Sequence, residues 1–361
     1  MTYLDNGATS FPKPEPVRQA VTEAMELCAN PGRGGHAWAA NAARVVYRTR
    51  ESAADLFGCR PEQVVFTQNC THGLNLAIRT LVPRGGKVLI SGFEHNAVTR
   101  PLHYLNARIR VAGRKLFDWE DTRADFLRAL GQGPEAVVLT HVSNVFGYIL
   151  PLEEMAAMCR RRGIPLIVDA AQSAGTEWVN FGELGAAFIA MPGHTGLLGP
   201  MGTGLLLCGK NPRPLLQGGT GSDSIAQKMP DYLPDRAEPG TVNVPGIAGL
   251  GAGIRLVMEQ GPERIGAKEA ALAAMAGRML EEKGFQVFRG PNQSGTVSFR
   301  GEEDCEELAR ALGDREVAVR AGLHCAPLAH KSAGTLDTGT VRLSFGFGNT
   351  EKDLMELMRV L

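Results

Sequence analysis

The sequence predicts an α/β protein: a large domain whose sheet contains parallel strands with helices on both faces, then a smaller α+β domain. Two observations carry that prediction. Apolar, β-rich runs alternate with amphipathic helical stretches through the first two thirds of the chain, which is the rhythm of βα units. After an irregular stretch from Gln217 to Gly246, the pattern changes to two long helices followed by shorter strands. A length of 361 residues suits two domains of unequal size, placed at 13–246 and 247–361 and joined by residues 1–12.

The opening MTYLDNGATS lacks a basic segment followed by an apolar one, and no stretch approaches about 18 uninterrupted apolar residues. A soluble, cytoplasmic protein is expected. EPVRQAVTEAMELC reads as a helix starting just after Pro14. Strands follow at VVFT (64–67), KVLIS (87–91), AVVLTHVSN (136–144), PLIVDAAQ (165–172), AAFIAM (186–191) and GLLLC (204–208). LEEMAAMCRRRG is a helix that ends in basic residues and Gly163. Residues 217–246 read as a long functional loop, too irregular for an element and not biased enough for disorder. Helices at 247–260 and 263–283, strands at QVFR, TVSFR, VAVRA and TVRLSFG, and a closing helix from 351 complete the smaller domain.

Lys plus Arg and Asp plus Glu both number 38, so no net field favours nucleic acid or an anionic membrane. The seven cysteines are odd in number and contain no C-x-x-C pair, which supports neither a disulfide framework nor a metal site.

Several short stretches can carry chemistry. Asp169 ends a buried strand, where an acid faces a bound ligand or simply caps a loop. In NCTHGLNLAI, Thr71 is expected to cap a helix whose first turn, beside Cys70 and His72, suits a phosphate; a cap with no ligand is the alternative. His95 follows a strand, placed to stack on a planar ring or shuttle a proton, or else to serve as a hydrogen-bonded structural residue. RAGLHCAPLAH surrounds Cys325 with two histidines on a loop, making it the one candidate nucleophile, since a reactive thiol needs exposure and nearby cations. Arg342 suits a two-pronged contact with a carboxylate, or is a surface arginine on an edge strand.

Taken in order, LDNGATS, NPGRGGHAWA, TQNCTHGLN, FEHNAV, HVSNVFG, VDAAQSAG, PGHTGLLGPMGTG, EPGTVN, RAGLHCAPLAH and VRLSFGFGNT resemble the cysteine desulfurase and selenocysteine lyase family. These are pyridoxal-phosphate (PLP) enzymes of the class V aminotransferase fold. The resemblance implies that Asp169 pairs with the pyridine nitrogen of PLP, that His95 stacks on the ring, and that Asn144 and Gln172 lie near the ring oxygen. It implies that Thr71, His72 and His194 hold the phosphate, with Thr241 contributed by the second subunit of a homodimer. Arg342 would hold the carboxylate of L-cysteine or L-selenocysteine, with Arg320 near the thiol loop. Cys325 would take the sulfur or selenium, for transfer to an acceptor protein.

One departure bears on all of this. In the family, the histidine of PGHTGLLGPMGTG is followed by the lysine that joins PLP covalently; here His194 is followed by Thr195. Pro192 stands where a phosphate-contacting hydroxyl is usual, and Met201 where glutamine is. Three departures in one stretch read as natural divergence rather than a single engineered change. Neither Lys228 nor Lys331 is an evident substitute by position. The expected function is therefore PLP-assisted C–S or C–Se cleavage, impaired or altered at residue 195. The alternatives are a sulfur or selenium carrier acting through Cys325 without PLP, and a protein that binds PLP or its amino-acid adduct without turnover.

Overall fold

The runs rich in Val, Ile and Leu pair into one seven-stranded sheet in a computed structural model that describes residues 1–361 except Arg33. That residue of the NPGRGGHAWA motif lies outside the described residues. The strand order is Val64–Thr67, Gly204–Cys208, Phe188–Pro192, Leu166–Asp169, Ala136–Thr140, Lys87–Ser91, Arg108–Ala112. Gly204–Cys208 runs antiparallel to both neighbours and all other pairings are parallel. The alternation of side chains sends Leu89, Val137, Leu139, Val168 and Ile189 into one apolar cluster and Val88, Ile90, Val138, Ile167 and Ala190 into another. Helices therefore cover both faces, as the near-continuous apolar strands require.

The helix Val244–Gln260 packs on Glu15–Leu27 and Ala37–Phe57. The division expected at 246/247 cuts the first turn of this helix, whose apolar surface belongs with the large sheet's helices. The second unit is a four-stranded antiparallel sheet in the order Arg320–Gly322, Thr340–Ser344, Thr296–Arg300, Gln286–Phe288. Its core joins Leu272 and Ala276 of the helix Pro262–Glu282 to Val297, Phe299, Val341, Leu343 and Leu354. VAVRA, expected as one strand, divides: Val317–Ala318 pairs in parallel with Thr2–Tyr3, while Arg320–Gly322 enters the four-stranded sheet. The amino terminus is thereby stitched to the second unit, and Asp5 bridges Ser344. Among the described residues no helix is long and apolar enough to cross a membrane, and no cluster of His, Cys, Asp and Glu suits a metal.

Candidate active site

The strand Leu166–Asp169 delivers Asp169 to the carboxyl edge of the sheet, where ligands collect in open α/β folds. Asp169 is 2% exposed. Its Oδ1 accepts from Ala171 N at 2.9 Å and from the Cys70 thiol at 3.4 Å, while Oδ2 has no partner among the described residues. Burial raises its pKa and His95 opposes that rise. His95 caps the helix Asn96–Tyr104, its Nδ1 accepting from Ala97 N at 3.0 Å, so a neutral ring carries its proton on Nε2. Burial lowers the His95 pKa, with Asp169 opposing. Sequence reasoning missed Glu94, fully buried behind this pair. Its Oε1 accepts from Ser91 Oγ at 2.6 Å and Thr140 N at 2.9 Å, and burial pushes its carboxyl up to about 8.

The helix Cys70–Leu81 is capped by Asn69, whose Oδ1 accepts from His72 N at 2.9 Å. Thr71, expected as the cap, is already the second helical residue, because the backbone is extended only as far as Asn69. The Cys70 and Thr71 amides find no partner among the described residues. His72 lines a cavity of about 180 Å³ together with Thr241 of the same chain.

The turn after Phe188–Pro192 presses against the one after Asp169. A Cβ on Gly196 would lie 2.4 Å from Ala174 O, and one on Gly175, at φ 94°, would lie 2.5 Å from Gly196 O, so glycine is required in both motifs. The close approach lets Thr195 Oγ1 donate to Ala171 O at 2.9 Å. His194 Nδ1 is buried without a partner. The His194 carbonyl accepts from Ser10 N at 2.8 Å and Lys13 Nζ at 3.0 Å. Lys13 has no carboxylate partner among the described residues, and burial pulls its pKa down to about 8. Nothing local singled it out. Lys228 and Lys331 are both exposed. Gln172 Nε2 donates to Gly7 O at 3.0 Å.

Cys325 is the exposed thiol of the seven, on a loop where His324 and Cys325 both take left-handed backbone, φ 50° and 54°. Asn96, beside His95, donates its N–H to Cys325 O at 2.8 Å. Asn144 Nδ2 donates to His324 O at 2.8 Å, and Asn144 O accepts from Arg342 Nη1 at 2.9 Å. Arg342 is 2% exposed on a strand flanked on both sides, which overturns the surface reading; its Nη2 meets Asp5 Oδ1 at 2.5 Å and its Nε is unpartnered. Arg320 stands 3.9 Å from Asp5 Oδ2. The histidines flanking Cys325 are not the expected cations. His324 and His330 stack in the interior, and burial pushes them down to about 3 and about 4, so both are neutral at pH 7.

The aminotransferase class-V family profile matches residues 2–357. The chain belongs to the class-V aminotransferase family. Within that family, a probable cysteine desulfurase of Methanothermobacter thermautotrophicus is 32% identical over 99% of this chain and 93% of the relative. The apo structure of a cysteine desulfurase from Thermococcus onnurineus NA1 superposes with a TM-score of 0.91 at 32% identity, covering 99% of this chain and 93% of that one. The cysteine desulfurase CsdA of Escherichia coli superposes at 0.86 with 26% identity, again covering 99% and 93%. In sequence and structure this class-V aminotransferase is desulfurase-like.

Members of this family use PLP. The fit of this class-V chain to that group can be judged on its own atoms. Asp169 Oδ2 is an acceptor without a donor, suited to a protonated ring nitrogen. The free Cys70 and Thr71 amides and the orphaned His194 Nδ1 suit an anion such as a phosphate. Thr195 offers a hydroxyl already spent on Ala171 O, so the fit is to a non-covalent guest.

Proposed function

We propose that the chain acts on L-cysteine or L-selenocysteine as a desulfurase or lyase, with Cys325 receiving the sulfur or selenium and with turnover slowed at Thr195. The observation that carries this reading is one hydrogen bond, Asn96 N to Cys325 O, which ties the thiol loop to the turn that presents His95 beside Asp169. PLP, when bound, supplies the electron sink for breaking the substrate's bond to sulfur or selenium. Asp169 would hold the ring nitrogen through Oδ2, His95 would offer an uncharged ring face, and Asn144 and Gln172 would border the ring oxygen. Thr71, His72 and His194 would hold the phosphate, with Thr241 from the second subunit of the homodimer. Arg342 would receive the substrate carboxylate at its unpartnered Nε while Asp5 fixes its other end, and Arg320, exposed beside the same carboxylate, would stand near the thiol loop. Seven unpaired cysteines support a reducing, cytoplasmic setting, and the reading carries with it a homodimer that delivers sulfur or selenium to an acceptor protein.

The test is an absorbance spectrum of the protein with PLP before and after L-cysteine, beside Thr195→Lys, with alanine and the mass of Cys325 measured in both. Slow alanine release and sulfur on Cys325 in the wild type are expected. Neither in the wild type but both in Thr195→Lys means that this chain does not turn cysteine over. A second reading, a carrier without PLP, is favoured by the exposure of Cys325 beside a site lacking its amine. It requires Cys325 to take sulfur from a persulfide donor with PLP absent.

A further inference from the structure

A cavity of about 40 Å³ lies between the two units, bounded by Thr195 and Thr176 on one side and by Glu269 and Ser344 on the other. A guest the size of water needs roughly 10–15 Å³ on this measure, so the space admits one small molecule or ion. Glu269 projects from the helix Pro262–Glu282 and is nine-tenths buried. Neither of its oxygens accepts a hydrogen bond from a described residue, and no Lys, Arg or His lines the cavity. Lys268, its neighbour in sequence, forms no ion pair with it and donates instead to the carbonyl of Phe347, a lining residue, at 2.9 Å.

The rest of the wall decides what kind of guest would enter. The hydroxyls of Thr195, Ser10, Thr176 and Ser344 each donate to a main-chain carbonyl, of Ala171, His194, Gln172 and Leu4 respectively. Both amide hydrogens of Asn6 are committed, to Ser344 O and Asn349 Oδ1. The Thr195 and Thr176 oxygens accept no hydrogen bond from a described residue, whereas Ser10 Oγ accepts from Lys13 Nζ at 2.7 Å, Ser344 Oγ from Gly7 N at 2.8 Å and Asn6 Oδ1 from Phe11 N at 3.3 Å. A buried carboxyl without an ion-pair partner, in a space that no Lys, Arg or His lines, calls for a small donor that carries positive charge.

We propose that this cavity is a binding site for a small ammonium-type cation, ammonium itself or methylammonium, with Glu269 as its counter-ion. Burial pushes the Glu269 carboxyl up to about 8, with Glu177 adding to the rise and Lys268 opposing it, and a bound cation would bring that value down. An ammonium ion held there puts a titratable nitrogen beside residue 195, which carries none. The site does not depend on the desulfurase reading.

The experiment is thermal melting of the purified chain without PLP, at pH 8 and constant ionic strength, in chlorides of ammonium, methylammonium, propylammonium, tetramethylammonium and sodium. Ammonium and methylammonium are expected to raise Tm on the order of 1–2 °C at ten times their Kd, above any effect of the others. Glu269→Gln should abolish that increment. Equal shifts with sodium, propylammonium or tetramethylammonium, or an ammonium increment that survives in Glu269→Gln, overturn the proposal. If Glu269→Gln does not fold, the size series on the wild type decides alone. Failure of the desulfurase reading is separate, since it is read from alanine and Cys325.

Discussion

The loop that carries Cys325 is held through a buried ion pair, whereas the turn that carries Thr195 is held at one main-chain carbonyl by donors from near the amino terminus. Around Cys325, a chain of contacts runs from Asp5 through Arg342 and Asn144 to His324 O, and Asn96 secures the thiol's own carbonyl. Around Thr195, the hydroxyl meets Ala171 O while four donations from Thr9, Ser10 and Lys13 converge on the single carbonyl of His194. The first arrangement runs through the residue 342 side chain; in the second, residue 195 supplies one hydrogen bond and the other side-chain donors are Thr9, Ser10 and Lys13. A change of side chain is therefore expected to cost the fold less at residue 195 than at residue 342.

The sharpest way to break the comparison is Thr195→Lys. Restoring an acid–base amine is expected to raise alanine release from L-cysteine by about 10²- to 10⁴-fold, with little change in Tm. An unchanged rate would mean that more than the amine is missing from this turn. Arg342→Met should cost about 3–5 kcal/mol in denaturant unfolding, because it leaves the poorly solvated Asp5 carboxylate with only the longer contact to Arg320. Arg320→Met, which removes the exposed and longer contact to the same carboxylate, should cost no more than about 1 kcal/mol.

The two regions also titrate in opposite senses. Glu269, raised to about 8, stays protonated in the fold while the unfolded chain has already ionised above the ordinary carboxyl range. The stability it contributes is present in acid and lost as pH climbs to about 8. His324 and His330, lowered to about 3 and about 4, stay neutral in the fold while the unfolded chain takes up protons below the ordinary histidine range. Their contribution is present at neutral pH and lost as pH falls towards those values. Unfolding free energies measured against pH should therefore lose up to about 1.4 kcal/mol per pH unit of alkaline slope in Glu269→Gln, and as much acid slope in His324→Phe.

The smallest expected effect concerns the tie between the thiol loop and His95. Asn96→Pro deletes the N–H that meets Cys325 O, at a first helical position where proline is accepted, after a residue already extended at φ −74°, ψ 158°. Alkylation of Cys325 should quicken about five-fold for about 1 kcal/mol of lost restraint, with Tm nearly unchanged. An unchanged rate would show that the Asn144 contact holds the loop without help.

Much of the fold was legible because its signals are local. VVFT, KVLIS and GLLLC are strands at the expected residues, since continuous apolar runs in a two-sided sheet need no partner to be recognised. Arg108–Ala112 escaped notice because an edge strand with two exposed arginines lacks that run, and Thr71 was taken for the cap because Asn69, two residues earlier, competes for the same role. The site divides in the same way. Asp169, His95 and Cys325 stand out as candidates in their motifs, each beside an element whose end the sequence marks.

What the sequence by itself determined, then, is the order of elements, the family, and the absence of an amine at residue 195, all of which follow from short-range pattern and residue type. Only the tertiary structure decided that Asp5 meets Arg342 across 337 residues, that Lys13 reaches His194 across 181, that the histidines beside Cys325 are buried and neutral, and that Glu269 faces Thr195 across a cavity. Those relations depend on which strands become neighbours and on how much water each group retains, and neither quantity is carried by any local stretch of chain.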